Sequence, residues 1–134
     1  MADDFDIKSM IADHMEKGFL ENIIDMFRHD KGLYPLIGDL MKDERMRVRL
    51  GISALVETLA KEDKENMVSS IRGIADLFRN ENPTVRGDAA YLLGMIGHRD
   101  ALPLLRTASN DESGSVREMV REAIEEIETK ETRE

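Results

Sequence analysis

NPTVRGDAAYLLGMIGHRDALPLLRTASN, residues 82 to 110, decides how the chain is read, because the sequence on either side repeats its two halves. Val85, Ala89, Leu92, Leu93 and Ile96 stand at offsets 0, 4, 7, 8 and 11. That spacing is one apolar stripe on a helix of about 3.6 residues per turn. Asn82 offers a side-chain oxygen to an orphan backbone N–H at the helix start, and Pro83 has no N–H to leave unpaired there. Gly97 ends the helix, since glycine enters the left-handed conformation at lowest cost. Asp100 is placed to cap a second helix that holds Pro103 in its first turn.

The same stripe occurs twice more. From Val48 it gives Ile52, Leu55, Val56 and Leu59; from Val116 it gives Val120, Ala123, Ile124 and Ile127. An arginine follows each anchor valine (Arg49, Arg86, Arg117), and six residues before each arginine stands Asp43, Asn80 or Asp111. Eight residues further back come Pro35 and Pro103, with Arg72 in the middle copy. The preceding helices match as well: Tyr34, Ile71 and Leu102, then Ile37, Ile74 and Leu105, then Leu40, Leu77 and Ala108. The copies lie 37 and 31 residues apart, a period at which one helical pair cannot bury its own apolar face and stacks on the next.

Pro, then Asp, then Val-Arg at these distances resembles the HEAT repeat, and VRGDAAYLLGMIGHRDALPLL is similar to the short variety named after phycobilisome lyases. The resemblance runs from about Leu33 to Ile127. It implies an all-α, short right-handed solenoid of about eight helices in antiparallel pairs, with the second helices side by side on an inner surface. The expected divisions are N-terminal capping helices over 1–32, HEAT-like repeats over 33–60, 61–97 and 98–129, and a frayed tail over 130–134, all in one domain. Members of such a family are scaffolds, enzyme subunits and nucleic-acid binders alike, so function has to come from the residues.

Composition narrows the field. With no tryptophan and 4 % aromatic residues among 134, the core must be aliphatic, and nine methionines supply flexible filler. The net charge is −9 and no long segment is basic, which disfavours binding to a phosphate backbone. The one local exception, Arg45, Arg47 and Arg49, reads as two solvated turn residues and the repeat's own arginine. Absence of cysteine excludes disulfides, thiolate metal sites and a cysteine nucleophile. An acidic start and the lack of a long apolar run predict a cytoplasmic protein that does not enter the membrane.

Ahead of the repeats, Asp3 or Asp4 opens a first helix with Ile7, Met10, Ile11 and His14 on one stripe, stopped by Gly18. A second helix over 19–29 carries Leu20, Ile23, Ile24 and Phe27, with Phe19 and Met26 widening the apolar face. That width admits burial against the first repeat or self-association. Helices are then expected over 33–42, 43–60 and 64–79, the last capped by Asp63, and Ser115 and Glu118 have capping-box spacing before the final helix.

Little points to intrinsic chemistry. His14, His29 and His98 have no glutamate beside them and no histidine one turn on, unlike HEAT-fold metal enzymes, so neither a metal nor a cofactor is expected. His98 reads as a solvated loop residue. Glycines Gly87, Gly94 and Gly97 fall in or just after a helix, so they form no phosphate loop, and Gly94 reads as a point of close helix approach. Arg49, Arg86 and Arg117 are expected to form a structural ladder with Asp43, Asn80 and Asp111 along one edge. Glu118, Glu122, Glu125, Glu126 and Glu128 read as a solvated face that closes the C-terminal end.

Off the stripe, offsets 2, 3, 6 and 10 give Leu50, Gly51, Ala54 and Thr58, then Gly87, Asp88, Tyr91 and Met95, then Glu118, Met119, Glu122 and Glu126. The first two rows hold a single charge where a solvated helix carries several. Leu50, Tyr91, Met95 and Met119 are therefore the candidate partner-binding residues of an uncharged groove flanked by acid. The function read from this is a non-enzymatic scaffold or adaptor, monomeric or weakly dimeric, that binds a peptide or helix of another protein and neither nucleic acid nor membrane. Two alternatives stand beside it. One is an accessory subunit or lyase-like protein acting on a cofactor-bearing partner, implied by the short repeat variety; the other is a homodimerising structural protein using the Phe19 and Met26 face.

Overall fold

The computed structural model describes the backbone of residues 4–133 and the side chains of residues 7–132, and all its regular structure is helical. Eight rods follow one another: α1 (Asp4–Glu16), α2 (Leu20–His29), α3 (31–40), α4 (Met46–Glu62), α5 (64–79), α6 (Pro83–Ile96), α7 (99–107) and α8 (Gly114–Arg133). The first helices of the three pairs, α3, α5 and α7, lie side by side in one layer, and α4, α6 and α8 form the second. This is a short helical-repeat solenoid. α1 and α2 both pack on the α3–α4 pair, at the N-terminal end of the stack.

The repeated stripe is the reason these layers adhere. Fourteen of its fifteen positions are buried, and the exception, Ile124, is half-covered at the far end of the stack. The buried side chains form one continuous cluster from Ile11 to Ile127, in which Met15, Met41 and Met67 fill interior gaps as their flexible, unbranched stems allow.

Turn chemistry sets the boundaries of α6 as expected: the Asn82 side chain accepts from Thr84 N, Pro83 opens the helix, and Gly97 closes it at φ 71°. Gly18 likewise ends α1 in the left-handed region, at φ 93°. Two glycines missed in the sequence decide how near the first helices come. A Cβ on Gly38 would stand 2.2 Å from the carbonyl oxygen of Gly73, and one on Gly73 would stand 3.1 Å from that of Pro35, so α3 and α5 meet backbone to backbone. Gly94 does the same in the second layer, where its Cβ would stand 3.1 Å from Cα of Ala123 in α8.

Several expectations need correction. The first helices are not uniform α-helix: α3 opens as 3-10 helix over Lys31–Leu36, and α5 alternates between α and 3-10 turns. In α5 the Ser70 hydroxyl donates to Met67 O at 2.6 Å and that of Ser69 to Asn66 O at 2.9 Å, bonds that compete with the α-helical pattern over Val68–Ser70. α4 begins at Met46, three residues later than expected, because Asp43 is held in a turn. Asp63 makes no side-chain cap to the backbone of α5, its carboxylate being taken by Lys31, Tyr34 and the Asn66 amide. His98, not Asp100, caps α7, its Nδ1 accepting from Asp100 N at 3.0 Å, so this histidine has a structural bond. Ser115 and Glu118 form no capping box, since Ser115 bonds Ser113 and Glu118 pairs with Arg121. In α1 the buried face is Ile11, Ala12 and Met15, while Met10 and His14 lie at its edge; α1 begins at Asp4, and Asp3 lies outside the described residues. Past Ile127 the charged end continues α8 to Arg133.

Candidate functional site

Each of the three turns between paired helices is built by the same small device. Oδ1 of Asp43, Asn80 and Asp111 accepts the backbone N–H two residues on, from Arg45, Asn82 and Ser113, each at 2.9 Å. This fixes the turn and aims the residue's own carbonyl at the arginine six positions later. Arg49 Nη1 donates to Asp43 O at 2.7 Å, Arg86 Nη1 to Asn80 O at 2.9 Å and Arg117 Nη1 to Asp111 O at 2.6 Å. The side chain makes the turn and the main chain receives the arginine, which is why asparagine serves as well as aspartate in the middle copy.

Among the described residues, Arg86 is the one of these arginines that hydrogen-bonds to the next repeat. Arg86 donates from Nε and Nη2 to the two carboxylate oxygens of Asp111 at 2.8 and 3.1 Å, with both side chains about nine-tenths buried. Bonds to the Arg86 guanidinium, with the Ser113 amide, hold the Asp111 carboxyl below its ordinary range. An arginine-to-carbonyl link thus recurs within each of the three turns, and one arginine–carboxylate pair, held by two hydrogen bonds, crosses between repeats. Arg49 has Asn80 ahead of it, whose oxygen is already bonded in its turn, and Arg117 ends the series.

Among the candidate partner-binding residues, the structure brings three together. Tyr91 and Met95 on α6 and Met119 on α8 line a cleft of ≈ 280 Å³ whose other walls are Gly94, Ala123, Glu122 and Glu126. The close approach of Gly94 to Ala123 makes its floor, because no side chain stands between the two helices there. Tyr91 is 53 % exposed although it sits amid an apolar helix, and Met95 and Met119 are half-buried. Leu50, on α4, is 63 % exposed but does not line this cleft. The neighbouring strip of α4 is small and neutral, Gly51, Ala54 and Thr58, all half-buried. Gly87, expected on the open face, is buried, its Cβ position lying 3.7 Å from Met119 Cγ.

Glu122 and Glu126 belong to this cleft, so the α8 glutamates do not form a single face. Glu118 and Glu125 pair with Arg121, and Glu128 pairs with Arg106, beside half-covered Ile124 at the C-terminal end. In the middle copy the equivalents of Arg121, Glu125 and Glu128 are Ala90, Gly94 and Gly97, which are buried against α8. This face of α8 therefore carries charge where the matching face of α6 carries small residues packed against a following helix.

The remaining candidates are dispersed. His14 Nδ1 lies 2.9 Å from Met10 O and His29 Nδ1 2.8 Å from Asp25 O, on different helices from each other and from His98. No group of acidic or histidine side chains suited to a metal occurs among the described residues. Arg45 bridges Asp13 and Asp43, and Arg47 donates to Glu16 O, so both bind their own chain. No described helix is long and apolar enough to cross a membrane.

The family model of HEAT repeats matches residues 71–134. No curated protein matches the chain.

Proposed function

We infer from a chain whose residues 71–134 match the family model of HEAT repeats that the protein is a non-enzymatic scaffold or adaptor, holding a peptide or helix of another protein against its second helices. HEAT repeats are commonly protein-interaction scaffolds and generally non-catalytic, which supports the class. The observation that carries the reading is Tyr91: a large amphipathic ring left half in water over the cleft, where every other residue of α6 from Val85 to Ile96 is buried or half-buried. Tyrosine in such a place supplies contact area at small cost in side-chain entropy and is enriched among residues that dominate binding. The match is to HEAT repeats in general, so it lends no weight to the phycobilisome-lyase variety or to a lyase-like or accessory role. Homodimerisation through Phe19 and Met26 is the weaker reading, since Met26 packs against the core and Phe19 alone is left largely exposed.

Two exposed residues separate the possibilities. Tyr91→Ala is expected to abolish capture of a partner from native lysate, compared band by band with the wild type, while the melting temperature stays within about 2 °C because half of the ring is already in water. Leu50→Ala reports whether the contact surface extends to α4. A Tyr91→Ala protein that melts several degrees lower, or that captures the same partners, removes the cleft from consideration.

A further inference from the structure

The negative charge beside the cleft is unlike the rest of the charge on α8. Glu118 and Glu125 share Arg121 and Glu128 has Arg106, whereas Glu122 has no ion pair among the described residues and Glu126 meets only Lys130 of its own helix, at 3.7 Å. Glu122 and Glu126 are one turn apart on a single face and both line the cleft. Asp88, in the α6 row one turn before Tyr91, is half-buried outside the cleft and has Arg49 of α4 as its neighbouring charge, so it adds nothing to this pair. The glutamates at the C-terminal end thus bind guanidinium groups at 2.5 to 3.5 Å, whereas at the cleft Glu122 binds no cation of its own chain among the described residues and Glu126 has only a long contact to a lysine. The apolar walls there are Met95, Met119 and the Tyr91 ring, which can cover the methylene stem of a long side chain and attract its cationic head.

We propose that the cleft takes a lysine or arginine side chain of the partner segment, its stem lying on Met95 and Met119 and its charged end at Glu122, Glu126 and Tyr91, with an apolar residue of the same segment beside it. The proposal rests on the reading of this face as a contact surface and adds the partner's chemistry: a cationic, amphipathic segment. A second copy of the chain is a poor occupant. Its most basic stretch commits Arg45 to Asp13 and Asp43 and Arg49 to Asp43 O, so Arg47 alone is left with only a 3.4 Å bond to give up.

The test uses short labelled helices of leucine and lysine, leucine and glutamine, and leucine and glutamate, titrated by fluorescence anisotropy against the whole protein. Two double variants lose equal charge from the same helix: Glu122→Gln with Glu126→Gln at the cleft, and Glu125→Gln with Glu128→Gln at the end of the stack. The leucine–lysine helix is expected to bind saturably, about tenfold or more weaker to the cleft pair and within about threefold of wild type to the control pair, and also weaker to Tyr91→Ala. Equal losses in the two pairs mean bulk attraction to an acidic protein and overturn the proposal, as does the absence of saturable binding. If the leucine–glutamine helix binds equally well and is lost with Tyr91→Ala, the contact surface stands and the cationic specificity falls. If neither Tyr91→Ala nor the cleft pair alters binding, both fall. Concentration-dependent mass by light scattering that disappears in the cleft pair would make the occupant a second copy and overturn the assignment.

Discussion

At Asp111 one side chain performs two tasks, and substitution separates them. Asp111→Asn keeps the acceptor that folds the turn, as Asn80 does naturally, but gives up one oxygen of the fork under Arg86. Asp111→Ala loses both. The melting temperature is expected to fall by about 5 °C in Asp111→Asn and by roughly twice that in Asp111→Ala, because a covered guanidinium without an acceptor is costly. Arg86→Ala leaves the carbonyls of Asn80 and Glu81 without their donor and should resemble Asp111→Ala. The same pair gives a pH dependence. Since the folded Asp111 carboxyl titrates below its unfolded value, its contribution is complete above about pH 4 to 5 and disappears as pH falls through the folded value. Denaturant melts from pH 7 to 3 are expected to show a loss on the acid side that is shallower in Asp111→Asn; an identical slope in the variant would show that other carboxylates govern it.

For the helices as units, the closeness of α3 and α5 leaves no room for one added methyl group. Gly38→Ala drives a methyl group into the Gly73 carbonyl, and neither backbone can yield without moving its helix. A loss of about 1–3 kcal/mol in chemical denaturation is expected, the cost of overpacking a fitted interior, with a smaller loss for Gly73→Ala, whose Cβ meets Pro35 O at a longer distance. A neutral Gly38→Ala would show that the two helices are not held so near in solution. The final helix illustrates the opposite requirement. Its outward face carries Arg121, Glu125 and Glu128 where the middle copy has residues small enough to be packed over.

Across the whole molecule, the covered cluster has no gap between Ile11 in α1 and Ile127 in α8, so no repeat has a core of its own. Heat is therefore expected to unfold the chain in one transition, with calorimetric and van't Hoff enthalpies equal. Two resolved transitions would divide the stack, and the boundary would fall where α3 and α4 meet α5 and α6.

The fifteen-position stripe, the Val-Arg pairs with their Asx residues, Asn82, Gly97 and the repeat spacing could all be read from the chain, because each is local: it lies within one helix or one turn. Tyr91, Met95 and Met119 could be identified as uncharged residues off that stripe by the same periodicity. The family match covers residues 71–134, whereas the first copy, over 33–60, is recognised through its alignment to the others and through its packing. What the linear order left open depended on neighbours distant in the chain. The Gly38–Gly73 approach, the choice of Arg86 to bond across repeats, and the division of the α8 glutamates between an arginine-bound end and the cleft arise only when helices about thirty residues apart are laid together. A helix carries its own apolar period, but which of its polar side chains finds a partner is decided by the surface set against it, and that surface is made by the fold.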